Sequence, residues 1–597
     1  MGAPKQNISR DYHFNDVVVE RDNFRVLKRG KIKALEPRAF ELLVYLIEHR
    51  DRVVAKQELF EQVWKESFVT DNALTQEIKN IRHAIGDAAG SPRYIKTVPK
   101  HGYCFVARVE EIASVAARQA HETAKKAASR SAIAVLPFVN LSADPENDYF
   151  CDGLAEDLLN ALAKIEKLRV VARSSAFSFK GKEKDVREIG RKLNASAVLE
   201  GSVRKAGDRL RITTQLINVA DGYHLWSERY DRQMEDIFDI QDEIALAIAG
   251  ALKLRLLGRE KKDLLKRHTK NTEAYQLYLK GCYYLPKMTE EDLNRAVGYF
   301  RQAIEHEPGY AAAYAQLSNA YGTLAYFGHL SPNETLAKIL PALDRAFKLD
   351  STLVQPHLIR AKARFYLERD FAGAERDFKR AIELDIDCAE AHLFYAIYLE
   401  SKGRFDEAIR ETRLGQGLDP FSPQTHLIAG FVFLCAGQFD EAFKLGQELL
   451  DMAPSFWGTH WITGMSYLQE GMYQDAIAAF RKSVALGGGS LRSAEIGFVH
   501  GVTGQAGEAL NLVDEFIRMR RRRYVPAYSI ALVYAGLGNA DEAFDWLERA
   551  IDEHSGPMAT LNIDLFFTGL RQDPRFADLL RRIGLAEPST AHGEGYT

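Results

Sequence analysis

The residues best equipped to recognise another molecule lie between Asn72 and His83. In DNALTQEIKNIRHAIG, Leu74, Ile78, Ile81 and Ile85 recur at helical spacing as a narrow inward stripe, and Thr70 or Asp71 can cap the start. At about 100° per residue, Asn72, Gln76, Lys79, Asn80 and His83 point outward, with Thr75 and Arg82 on the flanks. Carboxamides can meet an adenine edge with two hydrogen bonds, and cations suit guanine and phosphate. This is the chemistry a helix needs in the major groove. A merely solvated helix face is also polar, so the flanking elements decide between the two readings.

Those elements are legible. Residues 12 to 35 alternate apolar and polar (Phe14, Val17, Val19, Phe24, Val26, Leu27, Ile32, Leu35), with turns at Asp22-Asn23 and Arg29-Gly30. The pattern predicts a small antiparallel sheet. LEPRAFELLVYLIEHR places Phe40, Leu43, Leu46 and Ile47 on one helix face after Pro37, and KQELFEQVW gives a second helix with Leu59, Val63 and Trp64 inward. RYIKTVPKHGYCFVARV reads as a hairpin with Lys100-His101-Gly102 at its tip, where cations can meet phosphate or enter the minor groove.

Sheet, three helices and hairpin in this order resemble the OmpR/PhoB-type winged-helix DNA-binding domain over about residues 12 to 108, an α+β fold. The matching motifs are Val63-Trp64, IRHAIGD at Ile81 to Asp87, and YIKTVPKHGYCF at Tyr94 to Phe105. The resemblance implies that Asn72, Thr75, Gln76, Lys79, Asn80 and Arg82 read the major groove and that Lys96, Lys100 and His101 serve the wing. It also implies that the loop Lys65, Glu66, Ser67, Phe68 and Val69 contacts RNA polymerase. Many members carry two or three arginines on the reading helix, whereas here Gln76 and Asn80 hold that face. The family's receiver domain needs about 120 residues ahead of the DNA-binding part, and about a dozen stand there, so phosphorylation in cis is not expected. Relatives resembling CadC and ToxR place a transmembrane helix after the winged helix; here a charged, Ala-rich linker is expected at 109–130.

From 131 to 260, short apolar runs alternate with helical patterns, as in an α/β domain. AVLPF, ASAVLEGSVRKAGDRLRITTQLIN and HLWSERYDR resemble the N-terminal domain of TolB. Trp226, Glu228, Arg229, Tyr230 and Asp231 read as a core Trp beside a surface ion pair rather than a catalytic set. From 273 to 557 the chain repeats itself. Ala374, Ala408, Ala442, Ala476, Ala509 and Ala543 recur at spacings of 34, 34, 34, 33 and 34, and Gly403, Gly437, Gly471, Gly504 and Gly538 each stand five residues earlier. This period resembles the tetratricopeptide repeat, in about eight units forming an all-α solenoid, with capping helices at 558–586. Alignment of the units points Leu427, Phe431, Leu434, Trp461, Met465, Leu468, Tyr528 and Leu532 toward a concave peptide groove. A lining so apolar favours an amphipathic or intramolecular segment.

At 597 residues one compact core is excluded, and hydrophobic and charged fractions of 46% and 27% fit a folded, multidomain chain. The net charge of −3 hides an asymmetry: residues 1 to 107 hold 18 Lys/Arg against 14 Asp/Glu, or +4, leaving −7 for the rest. Five dispersed cysteines fit neither a disulfide framework nor a zinc site, and no apolar run is long enough to span a membrane. No phosphate-loop, dinucleotide, zincin or serine-hydrolase motif occurs, so no catalytic residue, metal site or cofactor is expected. The expectation is a cytoplasmic, one-component transcriptional regulator, similar in domain order to HilA-like activators and not an enzyme. Its partners would be double-stranded promoter DNA, RNA polymerase and a protein or peptide on the repeats, with a homodimer on DNA and no membrane. The rival readings are a scaffold whose winged helix binds protein and, more remotely, a signalling enzyme in the α/β block.

Overall fold

The computed structural model describes residues 10–20, 25–33, 35, 37–63, 71–88, 90–99, 101–113, 131–165, 167–181, 185–254, 256, 261, 264–265 and 269–585. They form two units, Met1–Arg130 and Ser131–Thr597.

In the first unit the alternating segment folds into an antiparallel meander, β1 (Arg10–Phe14), β2 (Val17–Glu20), β3 (Arg25–Lys28) and β4 (Lys31–Lys33). Helices α1 (Pro37–Glu48), α2 (Lys56–Val63) and α3 (Asp71–Ile85) follow, with the short strand β5 (Val54–Ala55) between the first two. The hairpin β6 (Ile95–Val98) and β7 (Gly102–Phe105) joins β5 in a three-stranded sheet ordered β5-β7-β6. One core unites Phe14, Val26, Leu43, Ile47, Leu59, Leu74, Ile78, Ile81 and Phe105. The linker expected at 109–130 begins later than its sequence suggests. Strand β8 (Glu110–Ala113) adds to the free edge of β1 with Arg10 opposite Ala113 and His13 opposite Glu110. Backbone pairing can recruit EEIA although it lacks apolar alternation.

The second unit opens with a mixed sheet of β9 (Ser131–Val135), β10 (Val139–Asn140), β11 (Leu168–Val170), β12 (Ala197–Ala206), β13 (Arg209–Asn218) and β14 (His224–Gln233), ordered β11-β9-β12-β13-β14 with β10 beside β12. One face buries Leu154 and Leu158 of α4 (Asp148–Leu162) and Ile237, Ile240 and Ile244 of α7 (Ile237–Ala251). The other face buries Ala176 of α5 (Arg173–Phe177) and Ile189 of α6 (Val186–Lys192).

Eight helix pairs follow, from α8 (Thr272–Tyr284) to the helix Ala540–Asp552. The repeated alanines are fully buried, and the glycines five residues before five of them all have φ near +70°, a region that strains any residue with a Cβ. The loop between the helices Ala311–Tyr326 and Pro332–Leu349 ends in a capping box, in which Ser331 and Glu334 satisfy each other's backbone N–H. The α/β block is fastened to this solenoid at two places. At one, Ser175 Oγ donates to Asp419 Oδ1 at 2.6 Å and accepts from Phe421 N at 3.0 Å. At the other, α8 packs on α4, and the Tyr275 hydroxyl and Gln241 Nε2 both donate to half-buried Asp157 Oδ2, the latter at 3.0 Å.

The solenoid curls until its end meets its third and fourth pairs. Arg369 Nη2 donates to Ile551 O at 3.1 Å, Asn562 Nδ2 to Ser401 O at 2.9 Å and Lys402 Nζ to Gly584 O at 2.9 Å. The terminal segment, two 3₁₀ turns (Gly556–Thr560 and Leu565–Leu570) and a helix (Pro574–Ile583), lies along the inner helices. There Phe566 packs on Phe498, Phe567 on Tyr528, and the Tyr528 hydroxyl donates to Asp564. This corrects the expected groove. Leu427, Leu434, Trp461, Met465, Leu468, Tyr528 and Leu532 are buried in the solenoid core and Phe431 is half-buried against it. The occupant of the inner face is an intramolecular segment.

Burial raises the Asp157 carboxyl to about 7, against an ordinary value near 4. The folded chain therefore holds a proton that the unfolded chain has lost between about pH 4 and 7. The associated stability is present at acid pH and lost as pH rises through about 7. Denaturation of the full chain at several pH values should show stability falling over that window, and Asp157→Asn should remove this part of the slope.

Candidate nucleic-acid interface

Helix α3 is amphipathic as its spacing requires. Leu74, Ile78, Ile81 and Ile85 are buried beneath it, while Thr75, Gln76, Lys79 and His83 are exposed and Asn80 and Arg82 are half-buried. The carboxamides are linked along the helix: Gln76 Nε2 donates to Asn80 Oδ1 at 3.1 Å, and Asn80 Nδ2 donates to Glu77 Oε2 at 3.3 Å. Such i,i+3 and i,i+4 links each add about 0.2–0.5 kcal/mol to a helix. Asn72 lies in the first turn of α3, its side chain outside the described residues, as are the loop 65–69 and Lys100.

Arg82 has another occupation. Its Nη2 donates to Ile95 O at 2.8 Å and to Thr97 Oγ1 at 2.9 Å, both on the wing strand β6. Its Nε stands 4.0 Å from Asp87 Oδ2, a carboxylate fully shielded from solvent. Asp87 in turn accepts from Arg93 N at 2.6 Å and Ile95 N at 2.8 Å. The end of α3 is thus tied to β6 by one carboxylate and one guanidinium. Asp87 closes the IRHAIGD motif, but no role is expected of it from sequence. Its signal was position: an Asp just after Gly86, where a helix ends and its side chain can take up unpaired backbone N–H groups.

In the hairpin, Lys96 is exposed opposite Cys104, and Val98 pairs with Gly102. Gly102 cannot be replaced cheaply, since its φ is +152° and a Cβ there would lie 1.9 Å from Val54 O. The tip is compact: His101 N donates to Val98 O at 3.1 Å, and His101 Nδ1 lies 3.0 Å from Pro99 O, leaving the ring exposed. Trp226, Glu228, Arg229, Tyr230 and Asp231 form no catalytic cluster. Trp226 is half-buried in the sheet, and Asp231 forms exposed ion pairs with Arg211 at 2.6 Å and Arg229 at 3.1 Å. Among the described residues no group of His, Cys, Asp and Glu could hold a metal, and no helix is long and apolar enough to cross a membrane.

A helix seated over a packed core, with a strand hairpin beside it, defines a winged-helix domain, and comparison with known proteins agrees. Residues 30–105 match the family described as transcriptional regulatory protein, C terminal. Residues 129–246 match the second domain of HilA/YgeH-like transcriptional regulators, and residues 360–423 and 432–490 match the tetratricopeptide repeat. Transcriptional regulator HilA of Salmonella typhi is 22% identical over 420 residues, 69% of this chain and 71% of its own. Transcriptional activator CadC of Escherichia coli is 41% identical over 80 residues, 13% of this chain and 16% of its own. A Rhizobium meliloti protein bearing the name "Putative adenylate cyclase 3" is 38% identical over 243 residues, 40% of this chain, and the match spans 41% of that protein. Among solved structures, the response regulator DrrB of Thermotoga maritima, an OmpR/PhoB homolog, is 36% identical over 16% of this chain and 44% of its own, with a TM-score of 0.15. The chain carries an OmpR/PhoB-type winged helix, a HilA-like second domain and tetratricopeptide repeats. Its relatives are mostly transcriptional regulators.

Replacing Asp87 with Ala removes the acceptor of the exposed Arg93 N and of the part-buried Ile95 N and takes the carboxylate away from Arg82, at a local cost of about 1–3 kcal/mol. Hydrogen exchange on the full chain should then show lost protection at Arg93 to Val98 while peptides from the second unit are unchanged.

Proposed function

We propose that this chain is a one-component, sequence-specific regulator of transcription acting in the cytoplasm. Its winged helix binds double-stranded promoter DNA, and its α/β block and repeats receive a signal or a protein partner. The observation that carries this reading is the outer face of α3, where Gln76, Lys79 and Thr75 are exposed beside the exposed Lys96 of the wing, above a wholly apolar underside. Gln76 and Asn80 supply base-edge hydrogen bonding, Lys79 and Lys96 phosphate contacts, and His101 the tip of the wing, with Asn72 and Lys100 completing the set. Arg82 positions the wing rather than touching a base. The loop 65–69 is the surface for RNA polymerase that the winged-helix resemblance implies, and two copies on neighbouring half-sites would double the contacts. The chain is not an enzyme in this reading; support comes from the regulators among its relatives.

The test begins with genomic fragments captured by the full-length chain, followed by fluorescence anisotropy on a recovered duplex and a scrambled one across a salt series. Lys79→Ala should flatten the salt slope by about one unit on both duplexes. Gln76→Ala should leave that slope alone and erode discrimination by ~1–3 kcal/mol. Equal, weak binding to every fragment would instead favour a scaffold whose winged helix contacts protein.

A further inference from the structure

Strand β14 ends the sheet order β11-β9-β12-β13-β14, so among the described residues no strand pairs with its outer edge. It is ten residues long and exposed throughout except at Trp226 and Tyr230. Natural sheets shorten, bulge, cover or charge such an edge, because its outward N–H and C=O groups are a template for another strand. Here the edge is long and carries charge of both signs, and the order of those charges is informative.

The orientation of the edge follows from the ladder. Met234 N donates to Asp208 O at 2.7 Å, immediately beyond a regular antiparallel register that pairs Leu210 with Arg232, Ile212 with Tyr230 and Thr214 with Glu228. Bonded and non-bonded pairs alternate in an antiparallel ladder. The even-numbered residues of β14 therefore turn their backbone groups to β13, and Ser227, Arg229, Asp231 and Gln233 turn theirs outward.

A second copy adding to this edge about a twofold axis must place one residue opposite itself, since a symmetric antiparallel pair cannot be centred between a bonded and a non-bonded pair. Centring on Glu228, Arg229, Asp231 or Arg232 sets a charge against its own copy. Centring on Tyr230 alone sets Arg229 against the partner's Asp231 and Glu228 against the partner's Arg232, with Ser227 against the partner's Gln233. The outward residues Arg229 and Asp231 then form the bonded pairs, as their orientation requires. Arg229 and Asp231 already lie 3.1 Å apart within one chain, both exposed, so a partner can share the pair without desolvating a buried charge.

We propose that β14 is a homodimerisation edge: two copies of this chain pair their β14 strands antiparallel about Tyr230 and continue one sheet across a twofold axis. The proposal does not rest on the DNA-binding reading and can stand or fall without it. The test is sedimentation velocity of the full-length chain over a wide concentration range, without DNA. The wild-type chain is expected to show a concentration-dependent dimer. Glu228→Arg and Arg232→Glu should each weaken it about tenfold or more, because each change sets like charges opposite one another twice per dimer. The double variant carrying both changes should restore the dimer, since the signs are then exchanged but complementary. Ser227→Pro, which removes an outward N–H that no ladder bond uses, should weaken the dimer with an unchanged melting temperature. A chain monomeric at every concentration would overturn the proposal, as would a dimer indifferent to the single changes or one the double variant fails to restore.

Discussion

Close approach of helices over a small side chain is the contact on which the second unit depends. Ala374, Ala408, Ala442, Ala476, Ala509 and Ala543 are wholly buried where successive helices meet, and left-handed glycines set the turn before five of them. A helix pair cannot cover its own apolar face, so each pair borrows its neighbour's, and a constant offset accumulates into curvature. Over eight pairs that curvature is enough for Arg369 to reach Ile551 and Lys402 to reach Gly584. What would be an open inner channel in a shorter array is occupied by the chain's own terminal segment.

The first unit follows a different logic, in which a polar contact rather than an apolar one fixes the working geometry. Arg82 and Asp87 hold the end of α3 to the wing strand, so the helix and hairpin present their outward residues as one surface. That arrangement withdraws a cation from the outer face. What stays on that face is carboxamides, whose hydrogen bonds are directional, and single lysines, which are point charges.

Much of this was legible in the residues. The repeat period could be counted, the apolar stripe of α3 fell where it packs, and the hairpin strands formed at Ile95–Val98 and Gly102–Phe105. What the spacing does not report shares a cause. Arg82 looks like a groove residue because helical spacing fixes where a side chain starts, while its long stem reaches a strand thirteen residues on. EEIA reads as linker because an edge strand can be held by backbone bonds that side-chain patterning does not report. The helix Pro423–Cys435 is buried on nearly every face, so no alternation distinguishes a residue that packs between repeats from one that lines a channel.

The closed solenoid also bears on how the chain is made. Synthesis delivers the N-terminal parts first, and local helix pairs can form as they emerge, but the contacts joining residues 367–402 to residues 551–584 wait until about 150 further residues have emerged. Until then Tyr528 and Phe498 lack the aromatic partners that later cover them. The array therefore spends its synthesis as an open, apolar-lined arc, and ring closure is a late, long-range step of the kind that slows folding and invites chaperones.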